Sequence, residues 1–173
     1  MNLNAKQKKF LILFVLSVII TFRLVAPTKA WGVTNSVINE KNGDIAYSYY
    51  SPHDTVVVLC DKEGNELFSK SIPTDGGAST YIAFFGENLG VYVSKAFKKY
   101  CFNRNGEELD HTEIPYTAIK DQGFFKGWEE SFGKKEYSWN GYRYTYQAPI
   151  IFRDKAKLTI ESAEKSVTVY ESP

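Results

Sequence analysis

An all-β fold of antiparallel hairpins, preceded by an N-terminal hydrophobic helix, is predicted by three observations. Short runs rich in β-branched and aromatic residues, each bounded by Gly, Asn, Asp or Pro, fill most of residues 44–102. A hairpin-sized unit recurs at a constant offset of 42 residues. An Asn-Gly step, Asn140-Gly141, sits between two alternating aromatic runs, the strongest short-range hairpin signal. Beyond residue 30 no stretch sustains the apolar periodicity of a capped amphipathic helix.

The first element is a leader. Lys6, Lys8 and Lys9 precede an uncharged run from Phe10 to Phe22, and Arg23, Pro27, Thr28 and Ala30 follow. This order of cationic, apolar and small-residue regions predicts an export signal. The run is short of the ~20 residues that cross a bilayer. Extension through Arg23 to Ala26 leaves a second reading open, in which residues 10–26 stay as a membrane anchor with the arginine snorkelling to the interface. Both readings export the C-terminal part. The expected organisation is therefore 1–30 as signal peptide or N-terminal anchor and 31–173 as one extracytoplasmic β-rich domain, secreted or tethered.

Residues 1–30 hold five of the 21 basic residues and none of the 20 acidic ones, so residues 31–173 carry 16 against 20, a net of about −4. A slightly acidic domain gives no electrostatic attraction to nucleic acid, and that partner class is not expected. The 143 residues of this part are enough for a core without covalent staples. Twelve Phe, twelve Tyr and three Trp are a heavy aromatic load, suited to pleated, half-buried surfaces.

Predicted strands run Asp44–Ser51, Thr55–Cys60, Glu66–Ile72, Tyr81–Phe85, Gly90–Ser94 and Lys98–Phe102. The segment Tyr116–Lys135 reads as a loop with a short strand around Phe124–Trp128. Within this series Leu59–Pro73 (LCDKEGNELFSKSIP) overlies Cys101–Pro115 (CFNRNGEELDHTEIP), with Asp61 on Asn103, Gly64 on Gly106, Leu67 on Leu109 and Pro73 on Pro115. The unit is a strand, a tight turn entered by Asp or Asn with Gly at positive φ, and a second strand stopped by proline. A degenerate third copy is read at Ile151–Ala156, followed by Leu158.

Val57–Ile72 and Tyr100–Ile114 resemble the strand–D-x-x-G-x-E-L–strand hairpins of extracytoplasmic β-propeller proteins, at a repeat length typical of propeller blades. The resemblance implies a small or incomplete propeller, because 143 residues make only about 3.4 such units. A sandwich of repeated hairpins is the alternative. No site residue, metal or cofactor carries over. The repeat also bears on the thiols. Cys60 falls on Phe102 and Cys101 on Leu59, one residue out of phase, which points the two cysteines to opposite faces and predicts free thiols rather than a disulfide.

For Lys135–Gln147 a two-residue type I′ loop pairs Trp139 with Tyr142, Ser138 with Arg143 and Tyr137 with Tyr144. Tyr137, Trp139, Tyr142, Tyr144 and Tyr146 then share one face. That face is either a core wall or, with Trp128, a platform for sugar rings or a protein partner.

Residues that could suggest catalysis read better as structure. His53-Asp54 lies in a turn, and His111 follows Asp110 along a strand, where neighbours point to opposite faces. Glu129-Glu130 reads as a solvated loop and Gly76-Gly77 as a flexible turn without a phosphate-loop lysine. No catalytic residue, metal site or cofactor is expected. The function expected is a non-catalytic binding or interaction module at the cell surface, with a protein of the cell envelope as partner. A carbohydrate- or cell-wall-binding module using the aromatic hairpin to hold a polysaccharide is the alternative, and a hydrolase with a dispersed site is the third reading.

Overall fold

The computed structural model describes residues 12–17, 33–51, 54–74, 80–93, 98–109, 125–126, 134–147 and 155–172. Thirteen strands form three antiparallel sheets among these residues. Sheet I contains β1 (Val33–Ile38), β2 (Ile45–Tyr50), β3 (Asp54–Cys60) and β4 (Glu66–Pro73), with β9 (Phe125–Lys126) added beside β1. Sheet II contains β5 (Thr80–Phe85), β6 (Asn88–Val93), β7 (Lys98–Phe102) and β8 (Glu108–Leu109). Sheet III contains β10 (Lys134–Trp139), β11 (Tyr142–Gln147), β12 (Lys157–Glu161) and β13 (Ser166–Glu171). Leaving β9 aside, each sheet is a meander in which consecutive strands are neighbours.

Sheet I lies in the middle, and the period of two along its strands serves both sides. Val37, Ala46, Val57, Leu59, Phe68 and Ile72 meet Ile82, Phe84, Leu89, Val91, Val93 and Phe102 of sheet II in one core. The alternate residues Ile45, Tyr47, Val58 and Cys60, with Val33 and Ile38, meet Tyr144, Tyr146, Leu158 and Ile160 of sheet III in another. The spatial order is thus III–I–II, and the last sheet packs on the first. Full burial of one such side chain is worth about 1.5–3 kcal/mol, so these two seams dominate the stabilisation.

The repeated hairpins occupy equivalent places, β3–β4 and β7–β8 being the third and fourth strands of their sheets. Asp61 Oδ1 accepts from the N–H groups of Glu63 and Asn65 at 2.9 and 2.8 Å, and Asn103 Oδ1 from those of Asn105 and Glu107 at 3.0 and 2.9 Å. Gly64 and Gly106 take φ of +85° and +79°, a conformation that costs a residue with a side chain. In sheet III the third and fourth strands are β12 and β13, where Ser162 Oγ accepts from the N–H groups of Glu164 and Lys165 without any glycine. The degenerate copy read at 151–156 precedes this hairpin, and residues 151–154 of it lie outside the described residues.

Both cysteines are buried free thiols. Cys60 faces sheet III, while Cys101 alternates with Phe102, which faces sheet I, and therefore points away from it. Burial raises both thiol pKa values, that of Cys60 to about 12. Residues 12–17 are helical, and their apolar side chains from Ile12 to Leu16 are exposed. No helix among the described residues is long and apolar enough to cross a membrane. The rest of the 1–30 leader lies outside the described residues.

Candidate functional site

Four turns converge at one end of the stacked sheets: β1–β2 and β3–β4 of sheet I, and β5–β6 and β7–β8 of sheet II. Their side chains Asn42, Asp44, Asp61, Lys62, Glu63, Glu87 and Arg104 line a cleft of about 370 Å³. Four carboxylates against two cations give it a formal charge of −2.

Asp44 sits at the base. Its side chain is 3% exposed and receives a two-pronged bond from Arg104, Nε to Oδ2 at 2.7 Å and one terminal nitrogen to Oδ1 at 3.1 Å. Asn42 Nδ2 also donates to Asp44 Oδ2, at 3.0 Å. Arg104 is 46% exposed, so one end of the pair is sealed and the other reaches the cleft mouth. A second link between sheets I and II is Asn39 Nδ2 donating to Gly86 O at 3.0 Å. Charge-assisted, two-pronged contacts of this kind fix direction as well as distance.

On the far side of the turn, sheet III grips the same structure. Tyr142 OH donates to Glu63 Oε1 at 2.5 Å, and Lys165 Nζ lies 3.3 Å from Glu63 Oε2. Lys62 Nζ stands 5.5 Å from the Tyr142 ring centroid. Trp139 Nε1 donates to Glu40 O at 2.7 Å, Tyr137 OH to Glu40 Oε1 at 3.1 Å, and Tyr144 OH to Gly43 O at 2.6 Å. The Tyr142 hydroxyl and Lys165 hold the Glu63 carboxyl below the usual carboxylate range. At Asp61 partial burial pushes the carboxyl up, but bonds from Asn65 and the Glu63 N–H outweigh it and the pKa is lowered. Both groups are therefore anions near neutral pH.

The predicted aromatic residues are brought together in the predicted register. Trp139 pairs with Tyr142, Ser138 with Arg143 and Tyr137 with Tyr144, and Asn140 and Gly141 have the positive φ of a type I′ turn, +42° and +83°. Tyr144 and Tyr146 are fully buried in the seam between sheets I and III. Tyr137, Trp139 and Tyr142 are half-buried, with their rings against the seam and polar tips on the turns of sheet I. The strip is thus a wall of the core whose outer end reaches the cleft. Trp128, His53, Gly76-Gly77, Asp110-His111 and Glu129-Glu130 lie outside the described residues. Asp54 is described, and its Oδ2 accepts from Ser71 Oγ at 2.6 Å.

The cleft escapes a reading along the chain because its residues come from four separate turns, each of which looks like an ordinary solvated tip. The usable signal is the kinship of Asn39–Asp44 (NEKNGD) with DKEGNE and NRNGEE, three Asx-and-Gly turns that a stack of meanders brings to the same end. Chemically the arrangement offers fixed anions and two cationic heads for polar or charged groups. Among the described residues no set of three or more His, Cys, Asp or Glu is placed to hold a metal ion. Searches for related proteins return no matching family model, no matching curated protein and no matching solved structure.

Proposed function

We propose that the chain is an exported or membrane-anchored interaction module that holds a protein partner of the cell envelope at the convergent turns, without catalysing a reaction. The observation that carries this reading is the cleft itself. Three of its carboxylates, Asp44, Asp61 and Glu63, and the Arg104 guanidinium are held by hydrogen bonds or ion pairs, a preorganised surface that loses little freedom when a partner docks. The leader supports placement outside the cytoplasm. The finer fold reading is an incomplete propeller, a stack of three blades. It draws support from three meanders stacked face to face, from the repeated hairpin at the same place in two of them, and from the contact of the last sheet with the first.

The test uses the full-length protein in its native membranes, with a photo-cross-linker in place of the exposed Glu87. A discrete protein adduct, lost on Lys62→Glu with unchanged thermal melting, is expected. Absence of any adduct, or an adduct indifferent to the charge reversal, would sink the proposal.

A carbohydrate-binding role is the second reading, favoured by the position of Trp139 and Tyr142 beside the carboxylate-lined cleft. Titration with wall polysaccharides should then change tryptophan fluorescence in the intact protein. Tyr142→Phe, which keeps the ring and removes the hydroxyl, should weaken that response.

A further inference from the structure

The sequence contains three Asn-Gly steps, all in described hairpin turns: Asn42-Gly43, Asn105-Gly106 and Asn140-Gly141. An Asn-Gly step is chemically labile. The backbone nitrogen of Gly, once it gives up its proton to solvent base, attacks Cγ of the Asn side chain. The Cγ–Nδ2 bond breaks, ammonia leaves, and water opens the resulting succinimide to aspartate or isoaspartate. The net change is water in and ammonia out. The step needs a free Gly N–H, a side chain able to swing over the backbone, and room for the turn to rotate.

The three sites meet these needs unequally. At the first, Gly43 N donates to Asn39 O at 2.8 Å, and both side-chain heads of Asn42 are engaged with Asp44 at 3.0 Å. The Trp139 ring covers the turn so closely that a Cβ on Gly43 would lie 2.4 Å from it. At the second, Asn105 is exposed, but Gly106 N donates to Asn103 O at 2.9 Å and Phe68 sits 2.9 Å from where a Cβ would be. At the third, Asn140 and Gly141 are both exposed, nothing lies within 4 Å of a Cβ on Gly141, and no hydrogen bond of the described residues holds the Gly141 N–H.

We infer that Asn140 is a site of spontaneous, self-directed conversion to aspartate and isoaspartate in the folded protein, while Asn42 and Asn105 are protected by the sheets that roof them. The consequence falls on the cleft. Isoaspartate adds a backbone carbon to a two-residue turn, and the Trp139–Tyr142 pairing cannot keep its register. Those two side chains hold Glu40 and Glu63, so the conversion loosens the grip of sheet III on the cleft.

Purified full-length protein is incubated at mildly alkaline pH, and timed samples are peptide-mapped by mass spectrometry with aspartate and isoaspartate resolved. In the folded state Asn140 should convert at least about tenfold faster than either other site, since those require the turn to open first. In denaturant the three rates should converge. Equal rates in the folded protein, or conversion at Asn42 or Asn105 first, would overturn the inference. Asn140→Gly keeps a type I′ loop and removes the amide, so the early phase of ammonia release should vanish; its persistence would count against the site. The isoaspartate fraction, separated by ion exchange, should melt at a lower temperature, and unchanged melting would refute the coupling to the cleft.

Discussion

The two faces of sheet I are covered by sheets of different character. Toward sheet II the hydrophobic core is aliphatic or Phe, with Leu59, Ile82, Leu89 and Val91 fully enclosed and one buried bond from Thr80 Oγ1 to Thr55 Oγ1 at 3.0 Å. Toward sheet III the seam is built on Tyr47, Tyr144 and Tyr146, with Tyr49, Tyr137, Tyr142, Tyr170 and Trp139 at its margin. The strength of the first seam follows mainly the apolar area removed from water, with its directional links gathered at the turn end, where Arg104 meets Asp44 and Asn39 meets Gly86. The second adds hydroxyls that must find partners: Tyr47 OH donates to Val169 O at 2.7 Å and Tyr144 OH to Gly43 O at 2.6 Å. Burial raises the pKa of Tyr47, Tyr144, Tyr146 and Tyr170, the last to about 12. One side of the central sheet is therefore held mainly by area with polar links at its edge, and the other carries hydrogen bonds on the aromatic side chains of its core.

The comparison breaks most sharply at its apolar side. Leu59→Ala should cost about 2–5 kcal/mol in denaturant unfolding, because it leaves a cavity between sheets I and II. Its effect should be the same at pH 5 and pH 8. Next comes Gly43→Ala. The new methyl would strike the Trp139 ring at 2.4 Å on a backbone with φ of +80°, an overpacking cost of about 1–3 kcal/mol to which the left-handed conformation adds. A calorimetric melting point within error of wild type would show that sheet III does not press on this turn.

Tyr144→Phe keeps the ring and deletes the bond to Gly43 O, orphaning a buried carbonyl at about 1–3 kcal/mol. Equilibrium unfolding measures it, and a neutral result would reduce the second seam to packing alone. The smallest effect is electrostatic. Glu63 has a folded pKa below its unfolded value, so its contribution is present above the unfolded pKa and is lost as pH falls through the lowered folded one. Glu63→Gln should lower stability slightly between pH 7 and 8, where that contribution is present, and converge with wild type in acid, so its acid limb is shallower. A pH titration of the melting temperature reads both, and an unaltered acid limb would place the sensitivity elsewhere.

The hairpins were legible where a turn residue has no substitute. Asn140-Gly141 determines the β10–β11 register, and Gly64 and Gly106 mark the two repeated turns, because positive φ is costly for other residues. Strand β1 left no such mark. Its half-buried Thr34, bonded to Ser48, and its buried Asn35 and Ser36 interrupt the apolar alternation. The β12–β13 hairpin carries no glycine signal in the sequence, because Ser162 does there what Asp61 and Asn103 do with glycine. The aromatic strip showed its register but not its role, for Tyr and Trp suit a core edge and a binding surface equally. The cleft was illegible for a different reason. Asp44 and Arg104 are 60 residues apart, and nothing in their local turns marks them as partners.

The contact of the last sheet with the first has a consequence for how the chain reaches its native state. Tyr47 waits for Val169, 122 residues further on, and Gly43 for Tyr144, 101 further on. Sheets I and II can form from neighbouring hairpins soon after those segments are free. Until β11–β13 arrive, however, Ile45, Tyr47 and Val58 stand uncovered on a finished sheet, an arrangement of long loop closure and slow completion. A chain synthesised from its N-terminus passes through that half-covered state every time. The final hairpin is what ends its exposure to proteases and to strand edges of other molecules.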